Sequence, residues 1–295
     1  MIISYVYAIL SALFEALRNV SGKMGLKDMD EYLVTWAFGF FALPFLLFPY
    51  FFISIPSLGN QYWLALISDG ILNVTATILQ LKSMKHSDLS LVIPLTSFTP
   101  LFLLIMAPLI LGQYPTFLGV IGVIFIVIGS YILNTKRKLI TAQRRTSDYL
   151  DPFKAMVKEK GPKLMLIAAF LLSITSSIDK IGVSNSSPLF WAASVHLFTS
   201  VTLSPVLIHE FRNHTKLTGM DIKLLFAVGA FSALSLVAQY IAITTLLVPY
   251  VIAIKRTSAV MSVLFGYLIF KEKGIKGRLA GSVIMVLGVV FIALS

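Results

Sequence analysis

Ten apolar runs divide the chain, and most of its charges lie between them or at their ends. The runs cover residues 3–25, 32–54, 62–82, 88–111, 116–134, 163–183, 189–208, 221–243, 248–270 and 277–294. Each is close to the ~20 residues an α-helix needs to cross a hydrocarbon layer about 30 Å thick. In lipid every backbone N–H and C=O must bond internally, which leaves spanning helices or a closed barrel. The runs are too long for barrel strands and lack two-residue alternation. The expected fold is therefore all-α, integral to a membrane, with ten transmembrane helices. Composition agrees: 57% of residues are hydrophobic and 13% charged, against roughly 25% charged in a soluble domain. The first run has no basic segment before it and no small-residue cleavage site, so it counts as a helix and not as a signal peptide.

Charge placement predicts orientation. Twenty of the 24 Lys and Arg lie in or beside the loops that follow odd-numbered runs, all on one side of the membrane. The other side has only Lys180, and Arg18, Lys255 and Arg256 fall inside runs. The positive-inside rule then places the basic linker 135–162 in the cytoplasm and both termini outside. A prokaryotic inner membrane is the expected setting. The linker contains Asp151-Pro152 and Gly161-Pro162 as expected helix breakers. It either rests on anionic lipid headgroups or is solvated. A net charge of +11 can signal nucleic acid, but cations at helix ends serve topology, and no nucleic-acid partner is expected.

The chain also repeats itself. Residues 62–134 align on 221–293 at an offset of 159 without a gap: Gly70 on Gly229, Gln80 on Gln239, Gln113 on Glu272, Gly122 on Gly281, Gly129 on Gly288. The first helices align at offset 157, with Lys23 on Lys180 and Gly25 on Gly182. The division is a first five-helix repeat over 1–134, the linker 135–162, and a second five-helix repeat over 163–295. Five is odd, so the second copy enters the membrane upside down. Inverted repeats are a recurrent plan of secondary transporters, with the substrate held near the midplane.

Polar residues inside the runs mark the candidate site, because an ionisable group there costs free energy unless it meets a partner or a cavity. The first run presents Ser11, Glu15, Arg18, Asn19 and Gly22 at helical spacing on one face. Glu15 and Arg18, three apart, are suited to pairing. The pair is either a coupling element or a structural tie. The third run aligns Asp69, Asn73 and Gln80, and the eighth aligns Ser232, Ser235 and Gln239. Ser173, Ser176, Ser177 and Lys180 share the sixth run. The serines are expected to serve close helix packing, whereas Gln80 and Gln239 recur in both repeats and suit a cavity. Lys255 and Arg256 lie about 10–12 Å into the ninth run, taken as one helix. Adjacent helical residues point ~100° apart, so both cannot snorkel comfortably. Pro94, Pro100 and Pro108 in the fourth run are expected to kink it.

Several chemistries are excluded or unsupported. No cysteine is present, which removes disulfides, thiolate metal sites and cysteine nucleophiles. His209 and His214 resemble the zinc pair of HExxH but are one residue too far apart to share a helix face. His196 reads as a packing residue. Nothing implies a metal or other cofactor, and no phosphate-binding loop or nucleophile motif suggests ATP-driven transport or an enzyme.

Leu268-Ile269-Phe270-Lys271-Glu272-Lys273, a short turn, and the glycine-spaced run around Gly281 and Gly288 resemble the EamA branch of the drug/metabolite transporter superfamily. The resemblance covers nearly the whole chain. It implies a ten-helix carrier of metabolites, amino acids, sugars or drugs, and a Glu at position 272. Gln113 replaces that acid in the first repeat, which points to a structural or capping role. Family members often have both termini in the cytoplasm, opposite to what the charges predict here. Lys255-Arg256 is similar to the Lys-Arg pair with which plastid phosphate-translocator relatives hold phosphate. The fourth-run cation of those relatives is missing, since Thr96-Ser97 stands there.

The expected function is secondary transport of a small, anionic metabolite by alternating access. Its expected binding residues are Lys255, Arg256, Gln80, Gln239, Asn73 and Thr96, with Glu15, Arg18 and Asp69 as coupling or ion-pair candidates. The partners are then a small-molecule substrate and membrane lipid. The alternatives are a flippase or accessory subunit handling a lipid-linked anion, an exporter of amino acids or drugs, and a membrane-embedded enzyme.

Overall fold

The computed structural model describes residues 2–25, 36, 39–86, 92–139, 159–211, 219–270 and 276–295, and among these all regular structure is helical. The helices are α1 Ile2–Gly25, α2 Leu43–Leu47, α3 Tyr62–His86, α4 Thr99–Leu111, α5 Phe117–Leu139, α6 Lys160–Ser184, α7 Pro188–Phe211, α8 Gly219–Thr245, α9 Val248–Lys255, α10 Ser258–Phe270 and α11 Lys276–Ala293. Short 3₁₀ segments cover Phe48–Phe51 and Ile93–Phe98. Among the described residues four stretches are long and apolar enough to cross a membrane: Ile2–Ser21, Tyr62–Ser83, Lys160–Ser184 and Ile222–Thr245. Leu95–Leu111, Phe117–Ile132 and Gly281–Ala293 are shorter apolar helices.

Three of the expected helices depart from continuity. In the second, Phe41-Ala42 forms a turn before α2, and a 3₁₀ segment follows. Pro44 and Pro49 sit near the starts of these two segments, where a missing N–H is least costly. The fourth is a 3₁₀ segment joined to α4, with Pro94 and Pro100 again near the two starts and Pro108 inside α4. The ninth, expected to be one helix over 248–270, is interrupted at Arg256-Thr257. Gly161-Pro162, expected to break the chain, instead belongs to the first turn of α6, a position that tolerates proline because its N–H has no helical partner. Within the linker, residues 140–158 lie outside the described residues.

The chain divides into two compact units that each draw on both sequence repeats. One contains residues 1–74 and 178–245, the other 75–177 and 246–295. In the first unit α1 and α8 run antiparallel, with Ser4 bonded to Thr245 at 2.5 Å and Ser235 Oγ donating to Ser11 O at 2.9 Å. Ala8, Ala12 and Ala16 of α1 and Ala242 of α8 are fully buried. Small side chains of this kind let helix backbones approach, which is how association is driven where lipid offers no hydrophobic gain.

In the second unit α5 and α11 pack on glycine. A Cβ placed on Gly122 falls 2.7 Å from Gly288 O, and one on Gly129 falls 2.6 Å from Gly281 O. Gly281 and Gly288 are the repeat counterparts of Gly122 and Gly129, so each glycine meets the counterpart of the other. Rising numbers on one helix meet falling numbers on the other, so the two helices run antiparallel. Phe125 and Phe291 meet edge to face at 5.2 Å nearby. Val92, Leu95 and Met165 form a buried cluster in the same unit.

Candidate functional site

The second unit brings together the interrupted fourth and ninth segments. α4 starts at Thr99 and ends at Leu111, while α10 starts at Ser258 and ends at Phe270. The repeat offset maps each boundary onto the other, so both repeats break at the same place. Thr96-Ser97 and Lys255-Arg256 are counterparts across these breaks. Around the ninth-segment break the bonds tighten to the i, i+3 spacing of 3₁₀ structure: Thr257 N to Ile254 O at 2.9 Å, Ala259 N to Arg256 O at 3.1 Å, Val260 N to Thr257 O at 2.9 Å. Thr257 Oγ1 also donates to Ile254 O at 2.7 Å, which supports the interruption where no proline does. In the fourth segment Thr99 Oγ1 donates to Thr96 O at 2.9 Å in the same manner.

Lys255 and Arg256 are half-buried. Lys255 occupies the last turn of α9 and Arg256 caps it, so neither lies inside a continuous helix as expected. A cation there complements the partial negative charge of the α9 C-terminus. The N-terminus of α10 follows at once with the opposite partial charge. The two helix ends roughly cancel, which leaves the cations as the net charge of the break. Thr96 is half-buried, and Ser97 is buried with its hydroxyl 2.7 Å from that of Ser130. Gln80 is half-buried on α3 in this unit.

Gln113 performs the capping role inferred for its position. Gly112 ends α4 with φ 63°, in the region glycine enters without strain. Gln113 Oε1 then accepts from Val248 N at 3.0 Å. Val248 opens α9, whose own N-cap residue Leu247 makes no side-chain cap. A distant glutamine thus satisfies an N–H the helix leaves unbonded. Glu272, its counterpart, lies outside the described residues.

The first unit holds the acidic candidates. Glu15 and Arg18 form the expected pair, Arg18 Nη2 donating to Oε1 at 3.3 Å, and Arg18 also reaches Asn19 Oδ1 at 3.3 Å. The polar face read from the sequence does not hold together: Ser11 is buried against α8 while Asn19 is exposed. Asp69 is fully buried, and neither carboxylate oxygen has a hydrogen-bond partner. Asn73, one turn along, turns its amide toward that carboxyl without completing a bond of good geometry. Gln239 is buried on α8.

One acid escaped the sequence reading. Asp179 is buried, and its Oδ1 accepts from Trp191 Nε1 at 2.8 Å and from Tyr240 Oη at 2.7 Å. These donors lie 12 and 61 residues away, so no local pattern reveals them. A buried tryptophan and tyrosine without obvious polar partners were the available signal. Lys180, beside it, donates to Ile243 O and Thr244 O at 2.5 and 2.7 Å and so caps the C-terminus of α8. His196 lies 3.5 Å from Ser232 Oγ, consistent with packing. In the second unit Ser173, Ser176 and Ser177 bond carbonyls of their own helix, as packing serines do. Among the described residues no group of three His, Asp or Glu could hold a metal.

A solved crystal structure matches the chain with a TM-score of 0.77 at 15% identity, over 99% of this chain and 96% of the other. That likeness concerns the fold. No curated protein matches. The model of the EamA-like transporter family matches residues 2–135 and 159–294, one match for each half. With both halves matched and a helical fold rich in apolar spans, the chain is a member of the EamA-like transporter family.

Proposed function

We propose that the protein is a secondary transporter of a small metabolite carrying a phosphate or carboxylate, moved by alternating access without ATP. Ten spanning helices in two inverted repeats, a prokaryotic inner membrane, a cytoplasmic linker and external termini complete this reading. The observation that supports it most is the pair of matched breaks, with Lys255 and Arg256 at one and Thr96 and Ser97 at the other. Interrupted helices free backbone groups that can serve a solute. A guanidinium binds phosphate or carboxylate through two parallel bonds, and a lysine adds a point charge. Hydroxyls at the counterpart break suit the neutral part of such a solute. Gln80, Gln239 and Asn73 are further binding candidates.

Purified protein in liposomes, offered a panel of phosphorylated and carboxylated metabolites, tests this. Uptake of at least one anion is expected. Arg256→Gln and Lys255→Gln should each reduce it by roughly tenfold or more, since a charge-assisted bond is worth about 1.5–3 kcal/mol. Folded yield should stay similar. A cationic substrate carried equally well by both variants overturns the anion reading. Hydrolysis or modification of a solute without net movement would indicate an enzyme instead. Movement of a lipid-linked anion between leaflets would favour the flippase alternative.

A further inference from the structure

Asp69 presents a physical problem that transport of an anion does not use. It is fully buried on α3, with both carboxylate oxygens lacking a hydrogen-bond partner. It lies within electrostatic range of Asp179 and of Tyr240. The three groups sit at similar depth. Asp69 is seven residues from the start of α3, and Asp179 and Tyr240 are each five residues from the ends of α6 and α8. At 1.5 Å per residue these are about 10 Å and 8 Å.

The neighbours of the two acids differ. Asp179 receives two strong donors on one oxygen, the indole of Trp191 and the phenol of Tyr240. That arrangement favours a carboxylate. Asp69 receives no bond of good geometry, and the Asn73 amide one turn along is a weaker influence in favour of its charge than burial is against it. An unpaired charge away from water costs several kcal/mol, so such a group takes up a partner or a proton. Among the described residues no cation reaches it. Lys180 of α6 turns its ammonium to the carbonyls of Ile243 and Thr244. The α7 residues are Phe198, against Gly70, and His196, which lies beside Ser232. From α8 comes Tyr240, and on α3 itself Tyr62 donates to Ser194 at 2.6 Å. Arg18 of α1 is held by Glu15. The described residues contain no third acid or histidine that would build a metal site.

We propose that Asp69 is a proton-carrying carboxyl, with Asp179 as the fixed anion beside it, and that this pair binds and releases one proton in each transport cycle. The step moves only a proton: it leaves an oxygen of Asp69 for water, the carboxyl becomes a carboxylate, and recapture reverses this. Nothing is oxidised or reduced. A proton travelling with an anionic solute would lower the charge moved across the membrane. The proposal rests on the transporter reading for its role in a cycle, but proton binding itself can be measured without a substrate.

The first measurement is infrared spectroscopy of the purified protein near neutral pH. A protonated carboxyl band is expected in the native chain and should shift on labelling with carboxyl heavy-carbon aspartate, which identifies aspartate without any substitution. Asp69→Asn should remove the band and, being the isostere of a neutral acid, should keep the native melting temperature. Asp179→Asn should retain the band. The second measurement is a pH jump on protein-containing membranes with no solute present. A transient charge displacement is expected in the native chain and should be absent in Asp69→Asn. A missing aspartate band, a band that survives in Asp69→Asn, or an unchanged displacement in that variant overturns the proposal. So does a sodium-dependent rise in melting temperature that Asp69→Asn abolishes, because the ligand would then be sodium. If the band and displacement behave as expected while no solute enters liposomes, the proton site stands and the transporter reading fails.

Discussion

At the scale of single residues, burial without a partner and capping from a distance are the most informative features. Gln113 illustrates the second. Its side chain reaches across 135 positions to bond the first N–H of α9, and the rigid left-handed turn at Gly112 aims it there. Replacing it with Leu keeps the volume and removes the acceptor. Gln113→Leu should lower stability by about 1 kcal/mol, the usual cost of a lost helix cap, seen as a lower melting temperature in detergent. Gln113→Glu should keep or slightly raise it, because a carboxylate also accepts and favours a helix N-terminus. Equal loss in both variants would show that shape, and not the accepted bond, is what matters. The residue scale is also where the sequence was least legible. Lys255, Arg256, Glu15, Arg18 and Asp69 stand out as charges in apolar runs. Asp179 does not, because it adjoins Lys180 and its defining partners come from α7 and α8.

At the scale of elements, apolar length located the helices well but said little about their continuity. Hydropathy integrates over a window, whereas a break depends on a few backbone bonds. The fourth run advertised its break through Pro94 and Pro100. The ninth did not, because Thr257 and its bond to Ile254 maintain the interruption there. The second run carried Pro44 and Pro49, but its composition hid their effect. Glycine spacing was the more faithful signal, since Gly122, Gly129, Gly281 and Gly288 meet in crossed pairs where α5 packs on α11. This packing yields a symmetric prediction. Gly122→Leu and Gly129→Leu each push side-chain atoms into a facing backbone, which cannot move aside as a flexible side chain does. Each should cost about 1–3 kcal/mol from overpacking and reduce the folded yield. The measurement is thermal unfolding of the two variants beside Ile128→Leu, an exposed position on the same helix. Native-like stability in either glycine variant would mean that the two helices do not touch at that pair.

For the whole molecule, orientation has the largest consequence, and the chain suits a direct test of it because it has no cysteine. The charge bias is stronger than a simple count suggests. Lys180, the one cation assigned to the less basic side, is held by carbonyls at the end of α8 and serves as a cap. It is therefore a structural charge and not a free loop charge, which leaves the loops of that side without Lys or Arg. Positive charge retained on the cytoplasmic side would place the linker inside and the short connection before α3 outside. Asn60, exposed in that connection, and Ala142, in the linker, are the two probes. In intact cells Asn60→Cys should react with an impermeant thiol reagent, and Ala142→Cys should react only after the membrane is opened. The same orientation sets where a proton would enter. α3 begins at Tyr62, just beyond Asn60, so Asp69 would lie about 10 Å from the outer end of its helix. Acidification of the outer medium alone should then alter the labelling rate of a cysteine near that end in the native background, and Asp69→Asn should remove the effect. Labelling of Ala142→Cys in intact cells with Asn60→Cys protected would reverse the orientation, place the termini in the cytoplasm as is common in the family, and move proton entry at Asp69 to the cytoplasmic side.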